Sequence, residues 1–275
     1  CTGLSHIVIP DRVKDIERFA FKGCTGLSDM NIPDGVTYIG ENAFCDCTGL
    51  TDIRIPDGVR AIGLGAFKGC NNLTTLTIPF VGSSTWENAD THFAFIFGAE
   101  SDSSRFVDSY VPSSLKTVII TGSTAINYPA FRGCTKIVNI TLPNGITSIG
   151  EYAFCDCESL ATINIPNGVT SIGNSAFSGC KSLTSISVPE SVTAIGERAF
   201  SCENLSEVSI ANLEKWCGIQ FTGSGSGLFS FVKTLNINGK ATTDLVIPDS
   251  VTRISANAFE HCKCLNSITI GSGVT

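Results

Sequence analysis

The chain is poor in positive charge and in histidine, and it has no long apolar run. Its 275 residues include 18 Lys and Arg against 25 Asp and Glu, which gives a formal net charge of −7. So acidic a chain is a poor binder of the phosphate backbone of a nucleic acid. The longest nearly uninterrupted apolar stretch, residues 93–99, is much shorter than the roughly 20 residues of a membrane-spanning helix. We therefore predict no nucleic-acid partner and no membrane span in this segment.

Catalytic signatures are also lacking. The three histidines, His6, His92 and His261, lie far apart in the chain. No nucleophile elbow, zinc-protease helix motif, phosphate-binding loop or dinucleotide fingerprint occurs. Acidic residues such as Asp34 and Asp57 fall at turns, where turn chemistry explains them. We therefore predict that the protein is not an enzyme and has no cofactor and no catalytic residue, although an active site within the inserts described below is a third alternative.

The abundant residues recur with a period of 23. The chain has 27 Gly, 17 Phe and 13 Cys, and 43% of its residues are hydrophobic. An Ala-Phe pair, a Cys, an Ile-Pro pair and an Ile-Gly pair recur in the same order. Ala-Phe pairs begin at Ala20, Ala43, Ala66, Ala130, Ala153, Ala176, Ala199 and Ala258. A repeat of this length is typical of a solenoid, because one unit cannot bury its apolar face alone.

Each unit has a physical interpretation. Residues 50–55 alternate apolar and polar side chains over a β-branched run, which predicts a strand that Pro56 ends. Residues 59–62 predict a short return strand, and Gly63 predicts a bend. Residues 66–67 predict a short helical or 3₁₀ turn whose Phe fills the interior of the coil.

The repeat resembles the BspA-type subfamily of leucine-rich repeats. Its strand pattern is similar to L-x-x-L-x-L, and the 23-residue length, Ile-Pro, Ile-Gly, Ala-Phe and Cys landmarks carry the resemblance. The resemblance implies a strand-rich α/β leucine-rich repeat solenoid, a curved right-handed coil with a concave parallel sheet, short return strands and single helical turns. It also implies a bacterial surface or secreted protein that binds host, matrix or other cell-surface proteins.

We interpret residues 1–275 as one solenoid with two inserts. Repeats cover residues 1–79, 115–210 and 244–275, and the inserts cover about 80–114 and 211–243. In the second insert, Asn212 predicts the N-cap of a short helix, and Asn238-Gly239 predicts a hairpin between residues 234–237 and 244–247. The chain begins and ends within a repeat and has no visible end caps, so we expect it to be a piece of a longer protein.

The inserts are rich in aromatic residues, which suggests two alternatives. They form recognition loops on the rim of the solenoid, or they fold over it as lids with their aromatics buried; the second is favoured because so many aromatics rarely stay exposed. The candidate recognition residues in the inserts are Trp86, Phe93, Phe95, Phe97, Tyr110, Trp216 and Phe221.

Most cysteines mark where a coil begins. Nine fall on the repeat, with Cys1 in the same column as Cys24, and inward-pointing parallel side chains are poorly placed for disulfides. We therefore expect buried free thiols. The pairs Cys45-x-Cys47, Cys155-x-Cys157 and Cys262-x-Cys264 resemble half of a metal site, but zinc spacing is missing, and we predict packing and no metal site.

The remaining candidate site is the polar side of the predicted concave sheet. Strand alternation directs these ligand-binding candidates outward: Asp29, Asn31, Asp52, Arg54, Thr75, Thr77, Thr117, Asn139, Thr141, Thr162, Asn164, Ser185, Ser187 and Glu207. The leading hypothesis is a non-enzymatic interaction module, located outside the cell or on its surface, that binds a host, matrix or cell-surface protein along this face. The alternative is a structural spacer with no ligand of its own.

Overall fold

The structure, a computed structural model, describes residues 2–85, 92–100, 107–223 and 228–275. The chain forms two compact units. Unit 1 comprises Cys1–Ser123 and Tyr128–Pro143, and unit 2 comprises Thr124–Asn127 and Asn144–Thr275. Each unit is a stack of coils built from short parallel strands.

Twenty short strands occur in the described residues. They are β1 His6–Val8, β2 Asp15–Ile16, β3 Asp29–Asn31, β4 Tyr38–Ile39, β5 Asp52–Arg54, β6 Ala61–Ile62, β7 Thr75–Ile78, β8 Thr117–Ile120, β9 Ala125–Ile126, β10 Asn139–Thr141, β11 Ser148–Ile149, β12 Ser171–Ile172, β13 Ser185–Val188, β14 Ala194–Ile195, β15 Glu207–Ile210, β16 Gln220–Phe221, β17 Thr234–Ile237, β18 Lys240–Thr242, β19 Asp244–Ile247 and β20 Ser267–Ile270. The described residues also contain two 3₁₀ helices, Phe93–Phe97 and Val107–Ser109, and one α-helix, α1, Leu213–Cys217.

In unit 1, successive coils pair through two parallel sheets. The strands of the L-x-x-I-x-I segments form the principal sheet, with β1 beside β3 and with β5, β7, β8 and β10 adjacent in that order. The return strands β2, β4 and β6 form the second sheet. Equivalent residues of neighbouring coils are partners, as in Asp52 opposite Thr75. In the regular coils, residues 23 positions apart in the sequence therefore lie side by side on adjacent strands, as the sequence predicts.

Unit 2 repeats this arrangement. Its principal sheet contains β13, β15 and β17 in parallel, and its return sheet contains β9, β11, β12, β14 and β16. A separate parallel pair, β19 with β20, follows near the C-terminus. Residues 160–165 match the sequence pattern of a strand, but none of the strands given above includes them.

The Ala-Phe segment is a series of turns, each closed by a bond from an N–H to the carbonyl three residues before it, as in the predicted helical or 3₁₀ turn, and it does not continue as a helix. Within one coil the Ala43 N–H donates to the Gly40 carbonyl at 3.2 Å, whereas the Phe44 N–H donates to the Ala66 carbonyl of the next coil at 2.8 Å. Asn42 has a φ of 53°, which reverses the direction of the chain between these bonds. Since alternate amides bond to the next coil, this segment, here called the turn leg, cannot close a helical hydrogen-bond pattern.

The coil interior is built from the same side chains in each repeat. Phe44, Phe67, Phe154, Phe177 and Phe200 are fully buried. The rings of Phe154 and Phe177 stack with their centroids 5.1 Å apart, and those of Phe177 and Phe200 with theirs 5.4 Å apart. Buried Leu, Ile and Val side chains of the strands line the other side of the interior. The predicted location of the Phe column is confirmed.

The Ile-Gly landmark has a different cause from the predicted bend. A Cβ atom at Gly63 would overlap the backbone nitrogen of Glu41 in the preceding coil. Gly58, in the Asp-Gly turn, has a similar constraint, since its Cβ would lie 2.7 Å from the Asp34 carbonyl oxygen. Glycine is therefore required where the backbones of successive coils come too close for a side chain.

The first insert lies within one enlarged coil. β7 pairs directly with β8 although 42 residues separate Thr75 from its partner Thr117. The 3₁₀ helix Phe93–Phe97 substitutes for the turn leg, because the Phe67 N–H donates to the Ile96 carbonyl at 2.8 Å. The Phe93 ring packs against the Phe131 ring, with 4.9 Å between the ring centroids. The principal sheet therefore continues through the insert.

The second insert also contributes to the stack. Helix α1 begins at the predicted N-cap, since the Asn212 side chain accepts a hydrogen bond from the Lys215 N–H at 3.0 Å. β16 then joins the return sheet, and β17 pairs in parallel with β15. The hairpin turn at Asn238-Gly239 is confirmed, but its second strand is β18, Lys240–Thr242, and not residues 244–247. Those residues form β19, whose apolar side chains Leu245 and Ile247 pack with Leu213 and Cys217 of α1.

Candidate functional site

In unit 1 the outward side chains of the principal sheet form two aligned columns. Asp52, Thr75, Thr117 and Asn139 occupy one register position, and Arg54, Thr77, Ile119 and Thr141 occupy the other. Asp52, Arg54, Asn139 and Thr141 are exposed, and the Thr75, Thr77 and Thr117 side chains between them are partly buried. The inward residues of the same strands are buried. This surface, here called the polar face, presents hydroxyl, amide and charged groups at the spacing of parallel strands, about 4.8 Å.

Two pairs of side chains on the polar face connect neighbouring coils. On β1 and β3, His6 Nδ1 lies 3.2 Å from Asp29 Oδ2. Arg54 extends from β5 toward the Asp34 turn, where its guanidinium Nη1 lies 3.3 Å from the Asp34 carboxylate. The side chains of Arg54 and Asp34 are 56% and 86% exposed, so they remain accessible to a partner. Asn31, next to this pair on β3, is also exposed.

In unit 2 the polar face is formed mainly by small hydroxyl side chains. Ser185 pairs with Glu207, and Ser187 pairs with Ser209. Ser185, Ser187 and Glu207 are exposed, as predicted from alternation. The predicted candidates Thr162 and Asn164 are also exposed, although no named strand contains them.

Two residues of this face were missing from the sequence-based set. Thr234 and Asn236 of β17 lie opposite Glu207 and Ser209, and the Asn236 amide donates to the Glu207 carboxylate at 2.6 Å. The sequence places both residues in the second insert, because the 23-residue period is lost there. The local pattern Thr-Leu-Asn-Ile at residues 234–237 nevertheless matches the outward-inward alternation of the other strands.

Three of the seven aromatic candidates of the inserts are part of the interior, in agreement with the favoured alternative of buried aromatics. Phe93, Phe97 and Trp216 are buried, and the Trp216 indole Nε1–H donates to the Ala258 carbonyl at 2.9 Å. They fill the coil interior in place of the regular Phe column, so they have no free surface for a ligand. They pack within the coils to which the inserts belong.

The other three aromatic candidates that the structure describes keep some exposure. Phe95 and Phe221 are partly buried, and Phe221 packs edge-on against Trp216 with 5.3 Å between centroids. Tyr110 is 43% exposed. Trp86 lies outside the described residues. Only Tyr110 among these three presents a large part of its side chain to solvent.

The column cysteines are buried thiols in the described part of the chain, as predicted for packing residues, except for Cys262, which is partly buried. Burial raises the pKa of Cys70 to about 12 and that of Cys47 to about 11. Both thiols lie close to backbone carbonyl oxygens of the preceding coil, with Cys70 Sγ 3.2 Å from the Phe44 oxygen. Cys1 lies outside the described residues.

A broad groove lies near the second insert, with a volume of about 560 Å³. Its walls come from α1, the β17–β18 hairpin and β19, and they include Glu214, Lys240, Asp244 and Val246. Hydrogen bonds from Ser267 and Thr243 lower the pKa of Asp244. Over residues 2–85, 92–100, 107–223 and 228–275, no cluster of three or more His, Cys, Asp or Glu side chains could hold a metal ion. Within the same ranges no helix has the length and apolarity needed to cross a membrane.

The profile of the BspA type leucine rich repeat region matches the chain in six copies. The matches cover residues 1–90, 108–225 and 237–275, which is most of the chain and includes part of each insert. No curated protein is significantly similar to the chain.

Several solved structures resemble the chain. A leucine-rich repeat protein from Bacteroides ovatus is 25% identical over 97% of this chain and 55% of its own, with a TM-score of 0.44. A leucine-rich repeat protein from Eubacterium ventriosum is 27% identical over 64% of this chain and 42% of its own, with a TM-score of 0.45. A leucine rich cell surface protein from Faecalibacterium prausnitzii is 26% identical over 97% of this chain and 79% of its own, with a TM-score of 0.30. The chain thus spans about half of the length of the Bacteroides protein.

Proposed function

The chain belongs to the BspA-type leucine-rich repeat family, and from this membership we propose that it is a non-enzymatic protein-interaction module of a surface-displayed or secreted protein. Leucine-rich repeat proteins generally act as interaction or scaffold modules, because stacked repeats create an extended surface for a partner. The partner we propose is a host, matrix or cell-surface protein. The proposed contact surface is the polar face of the principal sheet.

The observation that carries this proposal is the alignment of outward polar side chains, exposed or partly buried, across four adjacent coils. Asp52, Thr75, Thr117 and Asn139 share one register position, so a partner laid across the strands meets one polar group every 4.8 Å or so. Hydroxyl and amide groups both donate and accept hydrogen bonds. Arg54 adds a planar donor that suits carboxylates. Such a surface suits a polar, extended partner segment.

Binding to purified extracellular-matrix and cell-surface proteins tests this proposal. We expect the Asp52→Ala, Arg54→Ala double variant to weaken binding about tenfold or more, because it removes the charged groups at one end of the aligned columns. The matched control is Arg18→Ala with Glu41→Ala, which removes an exposed ion pair of 3.2 Å on the turn leg of the same unit. The control should bind like the unmodified chain.

Two outcomes would oppose the proposal. An equal loss of binding in both double variants would indicate that the partner does not contact the polar face. Absence of binding to every protein of the panel would favour the alternative, a spacer or scaffold that holds other parts of a surface protein apart.

The location of the protein is tested separately. An antibody against the chain should label intact, unpermeabilised cells, and labelling only after lysis would contradict surface display.

A further inference from the structure

Two cysteines of the last coil differ from the other described cysteines. Cys24, Cys45, Cys47, Cys70, Cys134, Cys155, Cys157, Cys180, Cys202 and Cys217 are buried, whereas Cys262 and Cys264 are only partly buried. The Sγ atoms of Cys262 and Cys264 lie 3.4 Å apart. The two thiols therefore face each other at a place that solvent reaches.

The position of Cys264 in its coil explains this contact. It lies two residues after the column cysteine, where other coils carry Asn72 or Asn204. Those asparagine amides donate to carbonyls of the preceding coil, each at 2.8 Å. The thiol of Cys264 lies instead against Cys262, which is the column cysteine of the same coil.

The other two pairs with this spacing are arranged differently. Cys45 and Cys155 lie two residues before the column cysteine, not after it. Their Sγ atoms lie 3.3 and 3.5 Å from the carboxylates of Asp46 and Asp156. Both of these pairs are buried, so they serve as internal comparisons with identical sequence spacing.

We propose that Cys262 and Cys264 form a dithiol site that low-molecular-weight disulfides, such as oxidised glutathione, convert to an intramolecular disulfide. The thiolate of one cysteine attacks the small disulfide, which forms a mixed disulfide and releases one small thiolate. The second cysteine then attacks the protein sulfur of the mixed disulfide and releases the second small thiolate. The protein loses two electrons and two protons, and the small disulfide is reduced to two thiols.

The required movement is short. The sulfur atoms must approach from 3.4 Å to the disulfide bond length of about 2.05 Å, which side-chain rotation supplies at a partly exposed turn. A disulfide that joins residues only two apart closes a small ring, and strained, exposed disulfides are reduced easily. The site is thus expected to oxidise and reduce reversibly with its surroundings.

Tryptic mapping of the folded chain tests the proposal directly. The protein is treated with oxidised glutathione, the excess is removed, and the chain is unfolded in the presence of iodoacetamide, so that every remaining thiol is alkylated before digestion. Trypsin cuts after Arg253 and after Lys263, which lies between the two cysteines. Oxidation should therefore leave residues 254–263 joined to residues 264–275, and reduction with dithiothreitol should separate them.

The comparison pair and one variant decide the outcome. Under the same treatment the oxidised fraction at Cys262 and Cys264 should exceed that at Cys155 and Cys157 about tenfold or more, because exposure controls access of the oxidant. The Cys262→Ser variant should yield no joined peptides and should retain glutathione on Cys264. The proposal is overturned if unmodified chain leaves both cysteines alkylated, stops at the glutathione adduct, or oxidises the buried pair equally.

Discussion

At the scale of single residues, the interior of each coil depends on one stacked aromatic side chain. Phe177 lies between Phe154 and Phe200, with near-parallel rings on both sides and no solvent exposure. Because coils stack one on another, a gap at one Phe removes contacts from the two neighbouring coils as well. The Phe column is therefore a major source of stability between coils.

The Phe177→Ala variant should be less stable than the unmodified chain by about 3–5 kcal/mol. The cause is lost burial together with a cavity that neighbouring coils cannot fill. Urea denaturation followed by circular dichroism measures the change. Phe231→Ala is the control, because Phe231 is 50% exposed and its removal should change the unfolding free energy little. Similar effects of the two changes would contradict the importance of stacking.

At the scale of the coil element, the distance between backbones determines which residues are allowed. The return strand ends at Gly63, where any Cβ atom would overlap the Glu41 backbone of the preceding coil. A backbone contact cannot be relieved by rotation of a side chain. The coils at this position can accommodate a larger residue only by moving apart.

Gly63→Ala should therefore lower the unfolding free energy by about 1–3 kcal/mol or more, as expected for overpacking. Thermal unfolding monitored by calorimetry is the measurement. The matched control is Gly3→Ala, since a Cβ at Gly3 has no heavy atom within 4 Å. If both variants melt alike, close approach of backbones is not the reason for the Ile-Gly landmark.

How much of the elements could be predicted from sequence depended on periodicity. The strands, their outward residues and the Phe column follow from the 23-residue repeat. The repeat fixes which residues of each strand point inward, because a shift by one residue would expose the apolar side chains to solvent. The turns of the turn leg follow from the sequence, but their hydrogen bonds to the next coil do not, because Ala-Phe pairs carry no signal for bonds between coils. The partner strand of Asn238-Gly239 was predicted wrongly because Asp244–Ile247 matches the strand pattern better than Lys240–Thr242 does.

The candidate site was predictable in the same uneven way. Outward positions such as Asp52 and Glu207 follow from alternation, and both are exposed. Asn236 was missed because the repeat landmarks stop before it. The burial of Phe93 and Trp216 depends on contacts with residues far along the chain, such as Phe131 and Ala258, which no local pattern contains. The role of the polar face stays a prediction until a partner is measured.

At the scale of the whole molecule, the repeated thiols link stability to pH. Burial raises the pKa of Cys70 to about 12 and of Cys47 to about 11, from an ordinary value of 9.0. In the unfolded chain these thiols lose protons near pH 9, while the folded chain retains them. The unfolded state then binds fewer protons, so the free energy of unfolding decreases as pH rises above about 9.

We expect the unfolding free energy to decrease between about pH 9 and pH 12, whereas near pH 7 these thiols give it no pH dependence. Urea titrations at a series of pH values measure this slope. Replacing Cys70 with Ala should make the slope shallower, although the variant is less stable at every pH because it leaves a small cavity. An unchanged slope in the variant would show that other groups cause the loss.

The hydrogen bonds between successive turn legs also give each unit a net dipole. In unit 1 the Phe44 N–H points to the Ala66 carbonyl of the following coil, and in unit 2 the Phe177 N–H points to the Ala199 carbonyl, both at 2.8 Å. Peptide groups aligned in this way add their dipoles, as they do along an α-helix, whereas the dipoles of a sheet largely cancel. Each unit is therefore polarised along its turn side, with the positive end toward its later coils, where an anionic group is electrostatically favoured.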